Sequence, residues 1–312
     1  MILKSTKLSS KLVDSVQLNL PSPVQQLSSR LLEEKQIKLF VKRDDLIHPH
    51  LSGNKWRKLK YNLLEARKKN KNTLLTFGGA YSNHIHATAA AGKLFGFNTI
   101  GIIRGELHEP LNPTLSFAKE QGMHIEYMDR QTYRTKNNPE LLNILKEKFG
   151  DFYSIPEGGS NQLALPGVAE VIAELNGQLV TKYDYVCTAC GSGGTLAGLI
   201  SAAAQQKMLG FAVLKGADFL NEDVKNLLPP ESNNNWQIML DYHFGGYAKK
   251  SQELMLFCQE FEDVFEIPVE PIYTGKMFYG LCDLVKKDYF PKGSTIAAIH
   301  TGGLQGKYTS GV

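Results

Sequence analysis

Short runs of aliphatic and β-branched residues alternate with helical patterns along most of this chain, and that alternation constrains the fold more than any other feature. Strand patterns fall at 37–41, 73–77, 99–103, 185–188, 211–214, 268–273 and 295–299. Helix patterns follow most of them, at 55–70, 82–95, 194–206 and 277–287. Strands alternating with helices imply parallel sheets covered on both faces, so the expected class is α/β. In such sheets function collects at the carboxyl ends of the strands. Four loops are singled out in this way: after Phe77, after Ala189, at Tyr273 and after Ile299.

Composition excludes more than it assigns. With 312 residues, 42% hydrophobic and 21% charged, the chain has room for one large or two medium domains and a full core. A net charge of +4 is spread along the chain, and its densest cluster, Arg67 to Lys71, falls where a helix should end. No aromatic platform accompanies it, so nucleic acid is not an expected partner. Cys187, Cys190, Cys258 and Cys282 are too few for a disulfide framework. The Cys187-x-x-Cys190 pair ends a strand rather than opening a redox helix. The N-terminal segment lacks an uninterrupted apolar run, and no later run is long enough to span a bilayer, so a cytoplasmic protein without membrane contact is expected. His84 and His86 lie two apart and share no helix face, and His48-Pro49-His50 also lacks a third ligand, so no metal is expected. Low complexity is confined to 229–235, a surface loop.

The loop Ala189-Cys190-Gly191-Ser192-Gly193-Gly194-Thr195 carries the clearest chemistry. Glycines let several backbone N–H groups converge on one anion, the following helix adds its positive end, and Ser192 and Thr195 add hydroxyls. No Gly-Lys-[Ser/Thr] follows, so it is not a nucleotide P-loop, and no acidic residue stands where a dinucleotide fingerprint needs one. In Gly78-Gly79-Ala80-Tyr81-Ser82-Asn83-His84, Ser82 and Asn83 open a small-residue helix. N-capping is the ordinary role there, and the same groups suit a carboxylate. Lys55 stands at the entrance of a basic helix, in Leu51-Ser52-Gly53-Asn54-Lys55-Trp56-Arg57-Lys58, where Lys58 and Lys60 read as a solvated face. Phe244-Gly245-Gly246-Tyr247 sets an aromatic beside a glycine pair.

A phosphate cradle, a lysine and a Ser-Asn helix start suit a cofactor with one phosphate and one aldehyde, which describes pyridoxal 5′-phosphate. At this point the sequence resembles the fold type II, tryptophan synthase β-like, pyridoxal phosphate enzymes. Within them it is similar to the branch of 1-aminocyclopropane-1-carboxylate deaminase and D-cysteine desulfhydrase. The matching segments are Lys42-Arg43-Asp44-Asp45, Gly53 to Leu59, Tyr81 to His84, Ala189 to Thr195, Tyr273-Thr274-Gly275-Lys276 and His300-Thr301-Gly302-Gly303. The resemblance implies that Lys55 carries the cofactor as a Schiff base and moves the α-proton. It implies that Gly191, Ser192, Gly193, Gly194 and Thr195 hold the phosphate, Asn83 the ring hydroxyl and Tyr273 the ring face, with Thr301 against the ring nitrogen. It further implies that Ser82 holds the substrate carboxylate and acts as a nucleophile or proton relay, that Tyr273 and Tyr247 join Lys55 and Ser82 as catalytic residues, and that Asn83, His84, Tyr247 and Thr274 face the substrate. The expected architecture is a smaller domain at 56–155 inserted into a larger one built from 1–55 and 156–312, with a homodimer implied by the resemblance alone.

Two positions separate the candidate reactions. Cyclopropane deaminases carry glutamate at the position of Thr274 and leucine at that of Thr301, whereas the two threonines match the D-cysteine desulfhydrases. A neutral partner for the ring nitrogen gives a weaker electron sink, which suffices when thiolate departs after α-deprotonation. The expected reaction is β-elimination from a small D-amino acid, D-cysteine foremost. The alternatives are 1-aminocyclopropane-1-carboxylate deamination and, from another class, a non-catalytic cofactor-binding homologue.

Overall fold

The computed structural model describes residues 16–232 and 234–308; most of the N-terminal segment read above, Asn233 and 309–312 lie outside them. Among the described residues ten strands form two sheets. The larger runs β1 (Val24–Leu27), β2 (Lys38–Lys42), β10 (Thr295–Ile299), β7 (Tyr185–Cys190), β8 (Lys207–Ala212) and β9 (Trp236–Met239), in that order across the sheet. Only the β1–β2 pair is antiparallel. The smaller sheet, ordered β5 (His124–Met128), β4 (Asn98–Arg104), β3 (Thr73–Gly78) and β6 (Tyr153–Ile155), is parallel throughout. Helices flank both sheets, and β3, β4, β7, β8 and β10 are almost wholly buried, as unbroken apolar strands in covered parallel sheets must be.

The strand expected at 268–273 does not form. Pro268 and Pro271 cannot donate to a sheet ladder, and Glu270 between them turns back to cap the next helix, Thr274–Lys286. β1, β5, β6 and β9 went unrecognised: each has five residues or fewer, and their burial is mixed.

Glycine decides one junction. Where the chain enters the helix Asn54–Lys68, Gly53 has φ +61, and a Cβ on it would lie 1.9 Å from the Thr301 carbonyl oxygen just past β10. This close crossing presses the start of the helix onto the end of the central strand, with Gly53 N–H donating to the Asp44 carbonyl at 2.7 Å. Gly53→Ala should therefore lower stability by roughly 3 kcal/mol or more, combining the left-handed strain with the backbone clash. Gly122→Ala, with φ +88 and open space at its Cβ, should cost only about 1–2 kcal/mol. Equal denaturation midpoints for the two variants would contradict the clash.

Candidate active site

Loops at the carboxyl ends of β3, β4, β6, β7 and β8 surround a cleft of about 710 Å³, lined by residues from both sheets. Lys55 lies in it on the first turn of the helix Asn54–Lys68. Its ammonium donates to Asn54 Oδ1 at 2.7 Å, while Asn54 Nδ2 donates to Thr195 Oγ1 at 2.8 Å. One amide thus ties the lysine to the glycine loop. Burial lowers the Lys55 pKa to about 8, with the Glu270 charge opposing. A neutral amine is therefore accessible close to physiological pH, as a nucleophilic or basic lysine requires.

The glycine loop is closed to side chains. A Cβ at Gly191 would meet Tyr273 Cε1 at 3.0 Å, one at Gly193 would meet Val224 Cγ2 at 2.8 Å, and one at Gly194 would meet Ser160 Oγ at 2.4 Å. Tyr273 thus rests against the loop and lines the cleft, with the Tyr247 ring 5.9 Å away and 72° to it. Ser192 Oγ shares a hydrogen bond of 2.7 Å with Ser160 Oγ, which accepts from Lys58 Nζ at 3.0 Å.

Lys58 corrects the solvated-face reading: it is 2% exposed and lines the cleft. Among the described residues it has no carboxylate partner in an ion pair, and burial together with the Lys55 charge pushes its pKa well down. A buried lysine amine facing hydroxyls and a glycine loop, without a counter-anion, is what an anionic group such as phosphate fits, since the anion would restore the charged form that burial disfavours. Lys60 is half-buried and pairs with Glu170 at 2.6 Å. The whole helix leaves only Lys68 fully exposed. Charge patterning misread it because each of these cations meets a partner from a distant segment.

Ser82 caps the helix Asn83–Phe95, accepting from His84 N and Ile85 N, and both Ser82 and Asn83 line the cleft. Asn83 Oδ1 accepts from Gln305 Nε2 at 2.8 Å. His84 is buried beside them, and its tautomer follows from its partners. The Thr76 hydroxyl donates to the Ile155 carbonyl at 2.8 Å, so at 2.7 Å it accepts from His84 Nε2–H, which leaves Nδ1 as an unpaired acceptor. Burial and the Lys58 and Lys55 charges hold this ring well below the usual histidine range, hence neutral.

Three expected residues do not line the cleft. Gly194 packs beneath Ser160, and Thr301 is buried with its carbonyl accepting from Asn54 N–H at 3.3 Å. Thr274, expected to face the substrate, is 0% exposed; its hydroxyl donates to Glu270 Oε1 at 3.1 Å and accepts from Glu270 N–H at 3.2 Å. Glu270 itself escaped the sequence reading. It is fully buried and accepts from the N–H groups of Ile272, Tyr273 and Thr274, and burial pushes its pKa up to about 7 against those donors. Lys58, Ser160, Asn54 and Arg104 were also missed, although Gly158-Gly159-Ser160 carries the same glycine-hydroxyl signal as the phosphate loop.

The remaining motifs are structural. Arg57 is 1% exposed and forked between Asp44 (Nη2–Oδ1, 2.8 Å) and Glu174 (Nη1–Oε1, 2.6 Å), while Lys42 meets Glu174 at 2.6 Å. Two cations and two anions balance, tying β2, the lysine helix and the helix Ala164–Gln178 together. His86 stacks on Phe117 with ring centroids 3.8 Å apart, and His50 lies tilted against the same ring at 4.7 Å. Among the described residues no three His, Cys, Asp or Glu side chains cluster at metal-binding spacing, and no helix is long and apolar enough to cross a membrane.

Residues 17–302 match the family model described as pyridoxal-phosphate dependent enzyme. The chain belongs to that family, in the fold type II group that holds 1-aminocyclopropane-1-carboxylate deaminase and D-cysteine desulfhydrase. It is 34% identical over 295 residues to the bifunctional D-cysteine desulfhydrase/1-aminocyclopropane-1-carboxylate deaminase of Arabidopsis thaliana, covering 86% of this chain and 73% of the relative. To a D-cysteine desulfhydrase of Klebsiella pneumoniae it is 29% identical, covering 91% and 92%. The crystal structure of an ACC deaminase homologue superimposes with a TM-score of 0.82 at 29% identity, over 97% of each chain. The protein is thus a pyridoxal-phosphate-dependent lyase.

Proposed function

We propose that this enzyme catalyses β-elimination from a small D-amino acid, most specifically D-cysteine and water to pyruvate, ammonia and hydrogen sulfide. The observation that carries the reading is the Lys55–Asn54–Thr195 link, which joins a lysine of lowered pKa to a glycine loop fit for phosphate. On this reading Lys55 takes the cofactor aldehyde. The Gly191 to Thr195 loop with Lys58 and Ser160 would hold the phosphate, Asn83 would meet the ring hydroxyl and Tyr273 would cover the ring, while Thr301, buried outside the cleft lining, is left to the ring-nitrogen side by the resemblance alone. Pyridoxal phosphate supplies the electron sink that makes the α-proton removable. The site divides a smaller domain over 56–155 from a larger one formed by 1–55 and 156–312.

The chain's own groups account for the rest. Lys55, released to its neutral form, takes the α-proton. Ser82 and the helix start at Asn83 suit the substrate carboxylate, since the helix dipole favours an anion there and the Ser82 hydroxyl, which accepts from His84 N–H and Ile85 N–H, keeps its own proton to donate. Tyr247 and Tyr273 cover the site and limit water. The pair left by the α-proton forms the Cα–Cβ double bond as the thiolate departs with the Cβ–S pair and is protonated to hydrogen sulfide; the released 2-aminoacrylate tautomerises to an imine that water hydrolyses to pyruvate and ammonia. Thr274 and Thr301 match the D-cysteine desulfhydrases in sequence, and that match, rather than a contact in the cleft, favours this reaction over cyclopropane opening, which has no α-proton to remove. Glu270, whose charge reaches Lys55, is committed to capping its helix.

The test is a panel of D- and L-amino acids scored for keto-acid release by the holoenzyme. Pyruvate should form from D-cysteine and β-chloro-D-alanine at least ~100-fold faster than from the L-forms, a difference of roughly 2.7 kcal/mol. Release of 2-oxobutanoate from 1-aminocyclopropane-1-carboxylate at a comparable rate would instead support the deaminase reading, and silence toward all D-substrates would end the present one.

A further inference from the structure

Lys276 takes no part in the chemistry above, yet it is a fully buried cation, 0% exposed, on the first turn of the helix Thr274–Lys286. Its ammonium donates to the carbonyls of Gly246 at 2.7 Å, His243 at 2.8 Å and Val213 at 3.4 Å. Three donors meet three backbone acceptors, and none of the described ion pairs gives it a carboxylate. Such a cage asks for a compact positive charge, not for a particular side chain.

Two of the three carbonyls belong to a segment without helix or strand. Its backbone is left-handed at Phe244 (φ 51), Gly245 (φ 89), Gly246 (φ 121) and Ala248 (φ 56). Non-glycine residues keep that conformation only where surrounding contacts impose it. The segment carries Tyr247, which is 41% exposed, lines the cleft and packs edge-on to Tyr273. Tyr273 lies three residues before Lys276. A single turn of chain thus presents one tyrosine directly and holds the loop of the other from below.

We propose that Lys276 is a positioning residue: its ammonium fixes the 243–246 segment and thereby sets Tyr247 over the reacting end of the cleft. The inference rests on the reading that Tyr247 faces the substrate. In Lys276→Met holoenzyme, backbone amides of 243–249 should exchange hydrogen at least ~10-fold faster than in the wild type. kcat/KM for pyruvate release from D-cysteine should fall roughly 30-fold, the scale of a misplaced contact group. The visible cofactor band should stay unchanged. Lys276→Ala should regain several-fold activity in ethylammonium or potassium chloride, and none in tetramethylammonium chloride at the same ionic strength.

Wild-type exchange and kinetics in Lys276→Met would overturn the proposal, as would faster exchange without kinetic loss. Accelerated exchange across the whole chain, or a collapsed melting transition, would make Lys276 a general support and also overturn it. Lost activity that neither cation restores would remove the charge as the holding element. If the wild type released no pyruvate, the proposed reaction would fail on its own, and exchange in 243–249 would still decide whether Lys276 holds the loop.

Discussion

Lys55→Ala should abolish turnover, with pyruvate release falling by ~10⁴-fold or more, because the same amine both takes the cofactor aldehyde and moves the proton. The visible band of the purified protein should vanish as well, while the denaturation midpoint stays within a few degrees, since among the described residues Lys55 bonds the neutral Asn54 amide and enters no ion pair. The lowered pKa adds a pH signature. Below about 8 the amine is mostly protonated and unreactive, so capture of pyridoxal phosphate by wild-type apoprotein should quicken as pH rises to about 8 and then level off. A rise continuing toward pH 10 would show an ordinary solvated lysine. A variant that kept its band and its turnover would remove Lys55 from the centre of the site.

Arg57→Leu should have the largest effect on stability. It leaves Glu174, largely buried, with Lys42 and leaves Asp44, 1% exposed, with the Ser22 hydroxyl and no cation among the described ion pairs, and an uncompensated buried carboxylate costs about 3–5 kcal/mol. Thermal denaturation should move down by roughly 10 °C. Turnover should fall too, since Asp44 and Glu174 grip the helix two residues from Lys55. The double variant Arg57→Leu/Asp44→Asn should recover part of the loss, because removing both partners is cheaper than orphaning one. An unchanged melting temperature in Arg57→Leu would mean that the network is relieved by water.

The parts legible in the sequence share one property: their signals are local. Buried parallel strands announce themselves as apolar runs, and β10 runs over the expected residues, Thr295–Ile299. The glycine loop and Ser82 declare backbone geometry through residue type. What stayed hidden depends on partners far away in the chain. Lys58 differs from Lys60 only in what lies opposite, Ser160 in one case and Glu170 in the other. Glu270 sits between two prolines that suppress a strand, and its commitment to Thr274 becomes visible only when the helix start folds back on it. Thr274 was expected at the substrate because motif matching reports that a residue is required, not which way it points.

The helix Asn54–Lys68 ends with a fixed rotational phase. Lys55 and Lys58 meet the cleft, Trp56, Leu59 and Leu63 enter an apolar cluster, Arg57 grips two carboxylates, and Lys60 takes Glu170. Successive residues on a helix are turned by ~100° from one another. Adding or deleting one residue between Lys55 and Lys58 would therefore turn one of the two lysines ~100° away from the cleft relative to the other. Few sequences tolerate every side of a rod being spoken for. The segment that carries the reactive amine thus evolves by exchanging side chains in place, and length changes in this enzyme have to be accommodated elsewhere.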